Sequence, residues 1–185
     1  MGQHIPAWAL AGRGHWKYRG SERPPFAREP GPGQESVWDY PRPPRLVPES
    51  RLIEVCYKDQ LIGSTRCAVR ILETASPPTV YLPPEDLNFE FLQPVEEVSR
   101  CEWKGEASYW DLVVGEERLS RIGWSYPKAY PPYEAMSGYV SFYPAALVCR
   151  IDGELVMPQP GGFYGGWVTA ENVGPLKGEP GTGGW

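Results

Sequence analysis

"CEWKGEASYWDLVVGEERLSRIGWSY", residues 101–126, decides the fold. From Ala107 the side chains alternate: Trp110, Leu112 and Val114 fall on one side, and Ala107, Tyr109 and Asp111 on the other. That period of two belongs to a strand, and a helix would mix the two sets. "GEE" then supplies a turn, and "RLSRIGWSY" returns with Leu119, Trp124 and Tyr126. Both faces carry bulk, so the hairpin is expected to be covered on both. Trp110 is the expected core anchor. Gly105 lets the chain bend before the strand, which frees Lys104 from the alternation and leaves it, with Tyr109, to edge a pocket.

The flanking sequence repeats the pattern in shorter pieces. "RLIEVCY" places Ile53, Val55 and Tyr57 on one face, and "KDQ" turns it back into "LIGSTRCAVRIL" as a second hairpin. "PPTVYLPPEDL" reads as an extended piece around Val80–Leu82 with Pro84 at a first helical position. Pro127, Pro131 and Pro132 argue against regular structure in "PKAYPPYEA". "GYVSFY" and "LVCRIDGELV" add a strand and a turn at Asp152-Gly153. The expected fold is mainly β, a single compact domain of coiled, bent antiparallel sheets.

Across 185 residues, 22 prolines and 21 glycines punctuate the chain too often for long helices. "EPGPGQ" marks a boundary near Gly33. Three parts follow: a flexible basic leader over 1–33 with few long-range contacts, a β-rich domain over 34–157, and a Gly/aromatic-rich tail over 158–185. Flexible linkers rarely hold as much aromatic surface as Phe163, Tyr164, Trp167 and Trp185 provide, so part of the tail is expected to pack on the domain. The formal charge of −5 is uneven. The leader sets five cations against Glu22 and Glu29, leaving the remainder strongly acidic, which argues against nucleic-acid binding. No apolar run suits a membrane span or a signal peptide, so a cytoplasmic location is the default expectation. Cys56, Cys67, Cys101 and Cys149 form no CxxC pair, and the only histidines are His4 and His15. No metal and no cofactor is therefore expected.

"VWDYPRPPRL", "STRCAVRILET", "YLPPEDL", "CEWKGEASYW" and "WSYP" resemble, in that order and spacing, domain of unknown function 427, a family of small bacterial proteins. The resemblance covers roughly Val37 to Tyr143. It implies a fold like the coiled-sheet β-tent proteins, some of which hold zinc and some a small ligand in an aromatic cage. Without paired CxxC knuckles, zinc does not carry over. The family is sometimes labelled nucleotidyltransferase-like, but the chain has neither a phosphate loop nor a closely spaced aspartate pair, and Glu85-Asp86 do not face one another.

The residues capable of chemistry are few, and each has two readings. Lys104 is either an amine of lowered pKa or a lysine laid over an indole and paired with Glu102 or Glu106. Cys101 is either a nucleophile activated by Lys104 or a small buried hydrophobe. Arg42, on the stiff "YPRPPRL" segment, suits a ligand carboxylate or phosphate, or an internal pair with Glu73 or Asp86. Tyr81, Tyr109, Trp124, Tyr126 and Tyr139 are core, or they line a small-molecule pocket with the proline-rich loop as its lid. Three functions follow: binding of a small anionic or planar ligand, a scaffold that docks a protein partner through residues 1–33 and the tail, or an enzyme using Lys104 or Cys101.

Overall fold

The alternating stretch forms a long antiparallel hairpin, as expected. The computed structural model describes residues 4–185; Met1, Gly2 and Gln3, the start of the expected leader, lie outside the described residues. The elements are α1 (Ala7–Arg13), β1 (Glu35–Ser36), β2 (Arg45–Glu49), β3 (Ile53–Tyr57), β4 (Gln60–Thr65), β5 (Ala68–Leu72), β6 (Thr79–Tyr81) and β7 (Leu92–Cys101). They continue as β8 (Gly105–Val114), β9 (Glu117–Ser125), β10 (Val140–Phe142), β11 (Val148–Ile151), β12 (Glu154–Leu155), β13 (Met157–Pro158), β14 (Trp167–Val168) and β15 (Asn172–Val173).

One antiparallel sheet has the order β10-β9-β8-β7, and a second the order β12-β11-β3-β4. A third, β2-β5-β6, joins the first where Leu82 and Val140 exchange backbone hydrogen bonds of 2.8 and 2.9 Å. The architecture is mainly β, built of bent antiparallel sheets, as the alternation predicts. Leu112, Ile122 and Phe142 meet Ile53, Val55 and Ile62 in an aliphatic core. The other face of β8 carries Ala107 and Tyr109 into an aromatic cluster with Tyr81, Trp103, Trp124 and Tyr126. Between Trp110 and Leu112 the register shifts, and Asp111 fills the bulge by accepting the Arg121 N–H at 2.6 Å and Arg118 Nε at 2.8 Å.

Several elements differ from expectation. "LIGSTRCAVRIL" is two strands in two sheets, because Thr65 Oγ1 accepts the Cys67 N–H at 2.8 Å and turns the chain. The proline-rich loop holds a 3-10 helix over Pro131–Met136, with prolines in the first turn where no N–H is needed. Trp110 is only partly buried, set edge-on to exposed Phe89, with Nε1 donating to Ser125 Oγ at 3.1 Å. The fully buried indoles are Trp38, Trp103 and Trp167.

The leader makes more contacts than its composition suggests. Tyr18 and Phe26 stand edge-on to Trp38 at 5.2 and 5.1 Å, Trp185 meets Trp38 at 5.1 Å, and the Arg28 N–H donates to Gly174 O at 3.0 Å. Aromatic burial offsets the entropy of ordering these Gly- and Pro-rich segments. From the tail, Trp167 enters the aliphatic core and donates Nε1 to Phe142 O at 3.0 Å.

These positions set an order of stability. Trp167→Ala should lower the unfolding free energy by about 3–5 kcal/mol, the range for a large core aromatic. Trp110→Ala should cost less. Urea denaturation of both variants checks this, and the reverse order would show that the tail indole is not part of the core.

Candidate functional site

A cavity of about 740 Å³ opens on the aromatic side of the large sheet, within the size range of small-molecule sites. Its floor is built by the turn between β7 and β8. Cys101 pairs with Gly105 across that turn, and Gly105, at φ +108, takes a backbone conformation that a side chain would strain. The Lys104 carbonyl is held by the Tyr130 N–H at 3.0 Å, fixing the turn against the following loop. Trp103 and Lys104 are thereby carried inward, and both are buried.

The cavity brings together Tyr81, Cys101, Lys104, Tyr109, Trp124 and Tyr126, all of them sequence candidates. Trp124 donates Nε1 to the Tyr81 hydroxyl at 3.1 Å and stacks at a tilt on Tyr143, with centroids 4.5 Å apart. The Tyr109 hydroxyl bonds to Ser99 Oγ at 2.7 Å, and the Arg121 guanidinium lies 5.3 Å over the Tyr109 ring. Tyr126 is buried beside Cys101, and burial holds its phenol well above the ordinary value. Burial drives the Tyr81 and Tyr143 phenols up to about 12, so both stay neutral and available as hydrogen-bonding groups.

Lys104 departs from both readings of its chemistry. Glu102 is taken by Trp16, whose Nε1 donates to Glu102 Oε1 at 2.6 Å, and Glu106 faces Arg100 at 3.4 Å. Among the described residues the Lys104 ammonium has no hydrogen bond and no ion pair, and it lies 5.7 Å from the Tyr126 ring centroid. Burial opposes its charge, while Cys101 and Tyr81, once ionised, and Glu73 pull its pKa above the ordinary lysine value. The charged form of Lys104 is therefore the one this environment favours.

Two candidates stand elsewhere. Arg42 is spent inside the protein: Nη1 donates to Tyr18 O at 2.9 Å, Nη2 to Thr74 O at 2.8 Å, and Nε faces Glu73 at 3.2 Å. The internal pair with Glu73 is the reading that fits, because the leader and the strand ends converge on this one guanidinium. Tyr139 packs on the aromatic cluster but does not line the cavity. Nor is the proline-rich loop its lid, since Tyr133 and Met136 are buried within the cluster. The tail covers the cavity instead. Gly165 passes so close to Trp124 that a Cβ would sit 2.1 Å from the indole edge.

Sequence reasoning missed Trp16 and Lys177. The Trp16 ring lies beneath the Arg42 guanidinium at 4.4 Å and the Lys177 ammonium at 3.5 Å, and both Trp16 and Lys177 line the cavity. Lys177 is 2% exposed, and burial pulls its pKa down to about 8 despite the pull of Glu73. The local signal was present in the aromatic residues of both termini, but nothing in it indicated that they meet. Glu85 is exposed, and Asp86 accepts from Thr65 Oγ1 at 2.5 Å, so neither acid reaches the cavity. Among the described residues no group of three or more His, Cys, Asp or Glu side chains converges as a metal site would require, and no helix is long and apolar enough to cross a membrane.

The family model described as Domain of unknown function (DUF427) matches residues 45–156. The chain belongs to this family. The match includes β2 through β12, and so the cavity floor, but not Trp16 or the tail residues that close the cavity. A search of curated proteins finds no match.

The lowered Lys177 pKa has a consequence for stability. Between about 8 and the ordinary lysine value of 10.5, the unfolded chain binds more protons at this residue than the folded chain does, so folding gains stability as pH rises through that window. Urea unfolding of the wild type and Lys177→Met should show the wild type gaining on the variant across it. A constant difference would show that Lys177 titrates as an ordinary lysine.

Proposed function

We propose that the protein binds a small, planar, anionic molecule in this cavity. The observation that carries the reading is the Lys104 ammonium, buried and without a hydrogen bond or ion pair among the described residues, on the floor of an aromatic-lined space. A buried charge with no partner is costly, and a ligand carboxylate or phosphate would offset that cost with a charge-assisted hydrogen bond. The rings of Trp124, Tyr126 and Tyr109 supply flat apolar walls, and neutral Tyr81 and Tyr143 add polar contacts that orient a guest.

Two other readings have less support. Nucleophilic catalysis by Lys104 needs a neutral amine, and its surroundings favour the ammonium. Docking of a partner through the leader would use its aromatic residues, but Trp16 and Tyr18 point inward onto Glu102 and Trp38.

Trp16, Trp103 and Trp124 line the cavity, so tryptophan fluorescence reports on its occupancy. A panel of aromatic carboxylates, with 4-(hydroxymethyl)benzoate as the reference probe, should include binders whose affinity falls with added salt. Lys104→Met should weaken them about tenfold or more, the loss expected for one hydrogen bond to a charged group. Its thermal stability should be kept or raised, because an unpaired buried charge is removed. A large loss of thermal stability in Lys104→Met, with affinity per folded molecule unchanged, would make Lys104 a structural residue and defeat the reading.

A further inference from the structure

We infer that Lys177 is a carbonyl-reactive amine, and that the guest of this cavity is an aldehyde or ketone whose acid group faces Lys104. This rests on the anion-binding reading of the cavity and adds to it a second, covalent point of attachment. Lys177 lines the same cavity as Lys104, yet it comes from the tail rather than the sheet. Its ammonium lies against the Trp16 ring at 3.5 Å and 5.0 Å from the Tyr164 ring centroid, and it donates only to Trp185 O, at 3.3 Å. No Asp or Glu side chain forms an ion pair with it among the described residues. The rings favour the ammonium, but the side chain is only 2% exposed, and burial in a cavity wall is what favours the uncharged form of a lysine.

The groups facing it act in opposite senses. Burial and Arg42 push its proton off, while Glu73 and Glu102 hold it on, and the balance leaves a pKa of about 8. At neutral pH roughly a tenth of the side chain is then a free amine, far more than for an exposed lysine. The step needs no further reactant. The amine lone pair attacks the carbonyl carbon, and the proton leaving nitrogen passes to the carbonyl oxygen to give a carbinolamine. That carbon–oxygen bond then breaks with loss of water, leaving an imine. Exclusion of bulk water by Trp16 and the tail favours the dehydrated product. Lys104, whose surroundings hold it charged, provides the counter-charge for the acid group, so the two lysines of one cavity take different tasks.

The test uses the full chain with 4-formylbenzoate, a planar aldehyde acid, and borohydride to trap the imine as a stable amine, followed by peptide mapping. The expected result is an adduct concentrated on Lys177, formed at a rate that rises with pH through about 8 and suppressed by excess 4-(hydroxymethyl)benzoate, which has the acid but no carbonyl. Lys177→Arg, which keeps the cation over Trp16, should lose the adduct and still bind 4-(hydroxymethyl)benzoate. Labelling spread over exposed Lys17 and Lys58 with no excess at Lys177, or placed on Lys104, would overturn the inference. If 4-(hydroxymethyl)benzoate binds while Lys177 stays unlabelled, the covalent step falls and the anion site stands. If it neither binds nor protects, and Lys177 stays unlabelled, both fall.

Discussion

The whole arrangement depends on β8 having two working faces. One face puts Leu112 into the aliphatic core shared with β3 and β4, and the other puts Ala107 and Tyr109 under the aromatic cluster. A strand with one buried face could tolerate almost any polar residues on the other, but here both sides must be filled. The bulge at Asp111 reconciles the two demands. It adds residues to β9 so that Trp124 stands opposite Tyr109 on the cavity side while Leu119 stands opposite Leu112. The same sheet therefore provides stability on one side and a lined space on the other.

Closure of that space by the tail is completed by one indole of the leader. Trp16 ties the leader to both the domain and the tail: Nε1 on Glu102, Arg42 over the ring, and Lys177 at 3.5 Å. Cation–π contacts are worth more when desolvated, and both cations, Arg42 and Lys177, are buried. The residues that complete the cavity thus come from outside the segment that carries the family match. Two lysines in one cavity also show how surroundings decide chemistry. Burial opposes the charge on both, but around Lys104 it is offset by Cys101, Tyr81 and Glu73, whereas around Lys177 it outweighs the pull of Glu73 and Glu102.

Much of this was legible in the sequence, and the reasons are local. Period two located the long hairpin, and Asp152-Gly153 located a tight turn, where both residues take positive φ of 46 and 83. Six of the eight candidate residues meet in one cavity because they sit on paired strands and their turns, where sequence position fixes direction. Arg42 was harder to place, since its partners Tyr18 and Thr74 are 24 and 32 residues away and no period relates them. The burial of Trp110 was overestimated because alternation assigns a face but not a depth. Trp16 was missed because the leader's Gly- and Pro-rich composition was read as freedom, and Lys177 because the expected packing of the tail rested on its aromatic residues alone.

The central claim is that Lys104 waits in an aromatic cavity for an anionic group. A crystal structure of the protein soaked with 4-(hydroxymethyl)benzoate tests it most directly. The account predicts the carboxylate within hydrogen-bond distance of Lys104 Nζ and the ring between Tyr126 and the tail. A soaked crystal with the cavity free of the probe and Lys104 bonded only to protein atoms would contradict it.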